Sequence, residues 1–145
     1  MQVKIGAIQT LATAETDKVS INLYFQGCDR KCKGCHNPEF WDINGGQLMD
    51  LEFLIKLLEE LKPYHDALVF LGGEPLLQKD ALEVLAEWGR FLGYELWLFT
   101  SYELDDLSPS LINLFDYLKC GPYIEELKTE EFLASSNQYL VYLQH

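Results

Sequence analysis

The sequence predicts an α/β protein built on a mostly parallel sheet of about five to six strands. Three observations carry that prediction. Short apolar runs alternate along the chain with stretches of helical periodicity. Ala67-Leu68-Val69-Phe70-Leu71 is a continuous apolar run, the pattern of a strand covered on both faces. The loops with unusual chemistry follow such runs, where α/β folds place their sites.

Val3 to Gln9 reads as the first strand, and Val19 to Gln26, which begins with apolar–polar alternation, as a clearer second one. The second strand leads directly into a cysteine-bearing loop that runs to Gly45-Gly46. Asp50 is placed to cap a helix whose Leu51, Leu54, Ile55, Leu58 and Leu61 share one face, and Pro63 ends it. After the buried strand and its abrupt Gly72-Gly73-Glu74-Pro75 terminus, Asp80 and Glu83 have the spacing of a capping box. The second helix carries Leu82, Leu85, Ala86 and Leu92 and is stopped by Gly93. Glu95 to Phe99 is the next strand, followed by the loop Thr100-Ser101-Tyr102. Ser108-Pro109 opens a short helix, and Tyr117–Cys120 and Tyr139–Leu143 complete the strands. With no repeat, low-complexity tract or linker, the chain reads as a single domain over residues 1–145.

Composition narrows the function. The 145 residues suffice for one hydrophobic core, and no run of eighteen apolar residues suggests a membrane span. Eleven basic against 23 acidic residues leave a net charge of −12, which excludes a phosphate-tracking, nucleic-acid-binding surface. The N-terminus lacks the pattern of a secretory signal, so a cytoplasmic, reducing setting is expected.

Three of the four cysteines, Cys28, Cys32 and Cys35, fall within eight residues as Cys-x-x-x-Cys-x-x-Cys. Disulfide frameworks spread their cysteines, so this clustering points to metal or redox chemistry. Three thiolates from one loop can hold three irons of a four-iron cluster and leave the fourth open, whereas electron-carrier clusters are ligated by four cysteines. A structural zinc site using His36 or Cys120 as the fourth ligand is the main rival. Cys32-Lys33-Gly34-Cys35-His36 also spells the c-type haem signature, which would leave Cys28 without a role. A thioredoxin-like dithiol at Cys32 and Cys35 would need no third cysteine. Cys120, at the end of an apolar strand, reads as a packed small side chain. Trp41, Trp88 and Trp97 read as core or rim packing.

The loop from Gly27 to Asn37, with Gly72-Gly73-Glu74-Pro75 about forty residues later, resembles the radical S-adenosylmethionine superfamily. More narrowly, Gly34 before the last cysteine, His36-Asn37 after it, Phe99 to Leu104, Tyr123-Ile124 and Ser135-Ser136-Asn137-Gln138 are similar to anaerobic (class III) ribonucleotide reductase activating proteins. One departure stands out: Ala14 to Ser20 replaces the Gly-Pro-Gly-x-Arg segment of related activases, in a loop expected near the partner's radical site.

The resemblance implies a partial (β/α) barrel holding a [4Fe-4S] cluster on Cys28, Cys32 and Cys35. It implies S-adenosylmethionine on the open iron, cleaved reductively to a 5′-deoxyadenosyl radical that makes a glycyl radical on an anaerobic ribonucleotide reductase. Gly34, Cys35 and His36 are then expected on the nucleoside and Gly72, Gly73 and Glu74 on the methionine end. Thr100, Ser101 and Asn137 are further cofactor candidates, Asn137 with a plain turn role as its alternative. A flavodoxin- or ferredoxin-type electron donor is implied, and no acid–base residue. The alternatives are a radical enzyme acting on a small molecule or peptide, and a non-catalytic zinc or electron-carrier module.

Overall fold

Strand β1 (Gln2–Ala12) turns back into β2 (Ser20–Phe25) as an antiparallel pair. The computed structural model describes residues 1–29, 35, 37–130 and 132–143. After the cysteine loop come β3 (Gln47–Asp50), α1 (Leu51–Leu61), β4 (Ala67–Gly72), α2 (Lys79–Phe91) and β5 (Glu95–Phe99). A short α3 (Pro109–Ile112), β6 (Tyr117–Cys120) and β7 (Tyr139–Tyr142) follow. Among the described residues these strands form one open, seven-stranded sheet in the order β3-β1-β2-β4-β5-β6-β7.

The mixed α/β class is as expected, but the sheet is larger and less parallel. Parallel pairing is confined to β2, β4, β5 and β6, whereas β1, β3 and β7 add antiparallel at the two sides. The connections explain this. Parallel neighbours need a crossover that returns the chain to the same end, and the helices provide it for the central strands. The short 13–19 connection between β1 and β2, and the helix-poor segment before β7, bring the chain back in the opposite direction.

Alternation along the strands divides the sheet into two faces. Ile21, Leu23, Phe25, Leu68, Phe70, Leu96, Leu98 and Leu118 point to the helices and pack with Leu54, Leu58, Leu82 and Leu85. Phe70 lies at the centre, edge-on to Phe25 at 6.1 Å and Phe115 at 5.9 Å. The opposite face carries Ala67, Val69, Leu71 and Trp97, flanked by Tyr24, Phe99 and Tyr117. Crossovers of one hand that step in one direction put all helices on one side and leave this second face for loops to cover.

Helix starts differ from the sequence patterns in detail. Asp50 occupies the N-cap position of α1, yet its carboxylate accepts from Gln2 Nε2 at 3.1 Å and caps no helix amide. The expected box from Asp80 to Glu83 is not formed. Helix α2 starts two residues earlier, after a 3-10 turn over Pro75–Gln78, and Glu83 pairs with Lys79 at 2.8 Å. Ser108 does cap α3, accepting from the Leu111 amide. Buried His65 accepts from the Leu11 amide at 2.9 Å through Nε2, and its Nδ1 lies 2.9 Å from the Leu61 carbonyl. That bridge fixes the end of β1, and with it the start of the 13–19 loop.

Candidate functional site

At the carboxyl end of β2 the chain enters the cysteine loop and then returns beside itself. The Gly27 amide donates to the Phe40 carbonyl at 2.7 Å and the Cys28 amide to the Trp41 carbonyl at 3.1 Å. Gln26 is buried, and its amide nitrogen reaches the carbonyls of Glu39 and Asp42. Gln78 bonds the carbonyls of Lys4 and Gln26 with its amide nitrogen and receives the Lys4 amide on its oxygen. Phe40 is buried and stacks on Tyr24 with centroids 5.0 Å apart. Both ends of the loop are thus stitched to the ends of β1 and β2.

Cys28 is buried and Cys35 half-buried on this frame, neither in a disulfide. The Asn37 amide donates to Cys35 Sγ at 3.5 Å. Cys32, Gly34 and His36 lie outside the described residues. Among the described residues no three His, Cys, Asp or Glu side chains converge.

Asn37 also connects this loop to the next strand end, its Nδ2 donating to the Gly72 carbonyl at 3.1 Å. Gly72 has φ +152°, and a Cβ there would lie 2.3 Å from the Phe25 carbonyl oxygen. A Cβ on Gly73 would lie 2.5 Å from the carbonyl oxygens of both Gly27 and Phe25. The two glycines therefore allow backbone to meet backbone: the end of β4 presses against the end of β2, and the Glu74 amide closes the junction on the Gly27 carbonyl at 2.8 Å. The atoms that a side chain here would strike belong to Phe25 at the end of β2 and to Gly27 and Phe40 in the loop that follows.

Glu74 is 1% exposed and accepts four hydrogen bonds. Oε1 receives the Ser101 amide and hydroxyl, each at 2.7 Å; Oε2 receives the Thr100 hydroxyl at 2.9 Å and the Leu76 amide at 3.1 Å. Burial pushes its pKa up, opposed by the hydrogen bonds from Ser101, Leu76 and Thr100. Glu74, Thr100 and Ser101 are therefore one cluster, fastening the end of β5 to the end of β4.

Asn137 is removed from this cluster in its contacts. Its oxygen accepts from Ser135 Oγ at 2.6 Å and its nitrogen donates to the Pro122 carbonyl at 2.8 Å, while Gln138 holds the Gly121 carbonyl. These bonds close the segment after β6. Cys120 is buried in the helix-side core, with its thiol pushed up to about 11, mainly by burial. Of the tryptophans, Trp97 is buried and stacks on Tyr117 at 4.0 Å, and Trp88 is partly exposed on α2.

Sequence reasoning passed over Gln26 and Gln78 and gave Asn37 no individual role. The available signal was polarity out of place: Gln26 ends an apolar strand, two residues before Cys28.

The donors present suit an iron–sulfur cluster. Cys28 and Cys35 come from one braced loop, an amide already faces the Cys35 sulfur, and the buried Trp41 Nε1 has no acceptor among the described residues. A cluster site offers sulfur acceptors of the kind those donors need.

Residues 17–141 match the family model described as a 4Fe-4S single cluster domain, which places the chain in the class of single-cluster iron–sulfur proteins. The anaerobic ribonucleoside-triphosphate reductase-activating protein of Enterobacteria phage T4 is 32% identical over 125 residues, covering 81% of this chain and 80% of the relative. Its counterpart from Salmonella typhi is 29% identical over 134 residues, covering 84% and 87%. The chain belongs to this 4Fe-4S family, as a member of the anaerobic ribonucleoside-triphosphate reductase-activating proteins. In fold it is similar to QueE from Escherichia coli, with TM-score 0.50 and 20% identity over 70% of this chain and 53% of that one. Among the described residues, no helix is long and apolar enough to cross a membrane.

Proposed function

We propose that the chain is a radical S-adenosylmethionine activase that generates a glycyl radical on an anaerobic ribonucleotide reductase. One observation carries this reading: a hydrogen-bonded arc joins the ends of three adjacent parallel strands, from the Cys35 loop through Asn37 to Gly72, and from Glu74 to Thr100 and Ser101. Such an arc, at the carboxyl ends of a parallel sheet used as a partial barrel, has the shape a cluster and an elongated cofactor require.

Cys28, Cys32 and Cys35 would hold the cluster and leave it open to S-adenosylmethionine. When bound, the cluster supplies one electron to cleave S-adenosylmethionine reductively. The chain's own residues bind and orient. Gly34, Cys35 and His36 offer backbone to the nucleoside, and the carbonyls of Gly72 and Gly73 accept N–H bonds from the methionine amino group. Glu74, Thr100 and Ser101 keep those carbonyls in place as positioning residues, and Asn137 fixes the segment that walls the open sheet face. A flavodoxin- or ferredoxin-type protein delivers the electron.

The test is to mix the reconstituted, reduced protein with S-adenosylmethionine and the reductase encoded by the same genome. A glycyl-type doublet in the electron paramagnetic resonance spectrum, lost on changing the reductase's target glycine to alanine, is the expected result. Cofactor cleavage with no radical on that protein would move the assignment to a different substrate.

A further inference from the structure

Among the described residues, one buried side-chain nitrogen or oxygen lacks a partner: the indole nitrogen of Trp41. Leaving a buried donor unpaired costs folding free energy, so native structures keep few of them. The other two indoles show the usual solutions. Trp97 is buried and its Nε1 donates to Glu95 at 2.9 Å, whereas Trp88 is 41% exposed on α2 and open to solvent.

The surroundings of Trp41 narrow what its N–H can bond. The Gly27 amide donates to the Phe40 carbonyl and the Cys28 amide to the Trp41 carbonyl, so 27–28 and 40–41 run side by side like paired strands. Backbones paired in this way lie roughly 5 Å apart, which puts Trp41 beside a cysteine expected to ligate the cluster. Every backbone carbonyl from Asn37 to Asp42 already accepts a hydrogen bond, from Phe40, Trp41, Gln26, Gly27, Cys28 and Gly45. The acceptor that loading brings to Cys28 is sulfur, as cluster sulfide and cysteine thiolate, both carrying negative charge.

We propose that the Trp41 indole N–H donates to a sulfur of the bound cluster and thereby raises its reduction potential. The proposal rests on the cluster assignment within the activase reading. Reduction adds one electron, supplied by the donor protein or by dithionite, and with it one negative charge shared among irons and sulfurs. A hydrogen bond to sulfur stabilises that reduced state more than the oxidised one, so Trp41 eases entry of the electron. The sign separates this role from packing. Loss of the N–H lowers the potential, whereas a void that only lets water reach the cluster stabilises the added charge and raises it.

The test is an anaerobic redox titration of the reconstituted full chain without S-adenosylmethionine, followed by electron paramagnetic resonance. It compares wild type with Trp41→Phe and with Trp41→benzothienylalanine, which keeps the bicyclic shape and puts a sulfur where the N–H stood. In both variants the ratio of reduced to oxidised cluster at a given potential is expected to fall about tenfold, a shift of about 59 mV for one electron. Trp88→Phe is the control and should match wild type. Independently, protein isotopically labelled at the indole nitrogen of tryptophan should show a nitrogen coupling to the reduced cluster by pulsed resonance, absent in Trp41→Phe and kept in Trp88→Phe. An unchanged or raised potential in the variants, no coupling in wild type, or a coupling that appears only after S-adenosylmethionine is added would overturn the proposal. If a variant takes up no iron, the wild-type coupling decides alone. Wild-type protein that forms no four-iron cluster would defeat the activase reading itself, whereas a cluster indifferent to Trp41 would defeat only the hydrogen bond.

Discussion

Gly73→Ala will destabilise the protein by ~3 kcal/mol and lower its melting temperature by roughly 10 °C. The new methyl group would lie 2.5 Å from the carbonyl oxygens of Gly27 and Phe25 and 3.0 Å from that of Phe40. All three are backbone atoms in hydrogen-bonded segments, so relief requires prying the end of β4 away from the end of β2. The Glu74 amide would then leave the Gly27 carbonyl, and Asn37 would be drawn off Gly72. Gly93→Ala is the control: φ there is +94°, but the nearest atom to a new Cβ is a flexible lysine carbon at 3.6 Å, so only the conformational cost of about 1 kcal/mol remains. Thermal unfolding of the two variants should separate them clearly. A Gly73→Ala protein melting within 2 °C of wild type would show that the junction has room to spare.

Glu74→Ala is expected to cost about 3 to 4 kcal/mol, because four donors lose their acceptor in one step and the buried ones stay unpaired. Glu74→Gln keeps the shape and one oxygen but turns an NH₂ toward groups that also donate, for a smaller loss of ~2 kcal/mol. Urea denaturation gives both values. The ordering also reports protonation. Burial pushes the Glu74 pKa up, and if the acid were neutral at pH 7, Gln would substitute for it at almost no cost. S-adenosylmethionine affinity should fall in both variants, since the strand ends are no longer fastened. Stability unchanged in Glu74→Ala would mean that Thr100 and Ser101 are held by other contacts.

How far such features can be read from sequence depends on whether the partner is local. Helix α1 and strand β4 announce themselves, because a repeating apolar face or an unbroken apolar run is written into consecutive residues. Strand β3 does not, since Gln47-Leu48-Met49-Asp50 is four residues with one face in solvent, and its strand character comes from pairing with β1. The Asp80 box failed because the chain was already turning at Pro75, and Glu83 had a lysine one turn before it to bind. In the site, the cysteine spacing and the Gly-Gly-Glu-Pro terminus were visible as types of residue. Their contacts were not: Asn37 reaches Gly72 across 35 positions, Gln78 reaches Gln26 across 52, and Glu74 spends its oxygens on Thr100 and Ser101. A motif indicates where chemistry gathers, but packing decides which of its atoms remain available.

Cys28, Cys32 and Cys35 are proposed to hold a cluster that remains open to the cofactor. The most direct measurement of this is anaerobic reconstitution followed by iron and sulfide analysis and electron paramagnetic resonance of the reduced protein, with and without S-adenosylmethionine. The expected result is a brown protein with about four irons and four sulfides per chain, a reduced-cluster signal that shifts on adding the cofactor, and loss of the cluster on replacing any one of the three cysteines by alanine. A colourless protein that retains only zinc, or a cluster signal indifferent to S-adenosylmethionine, would contradict it.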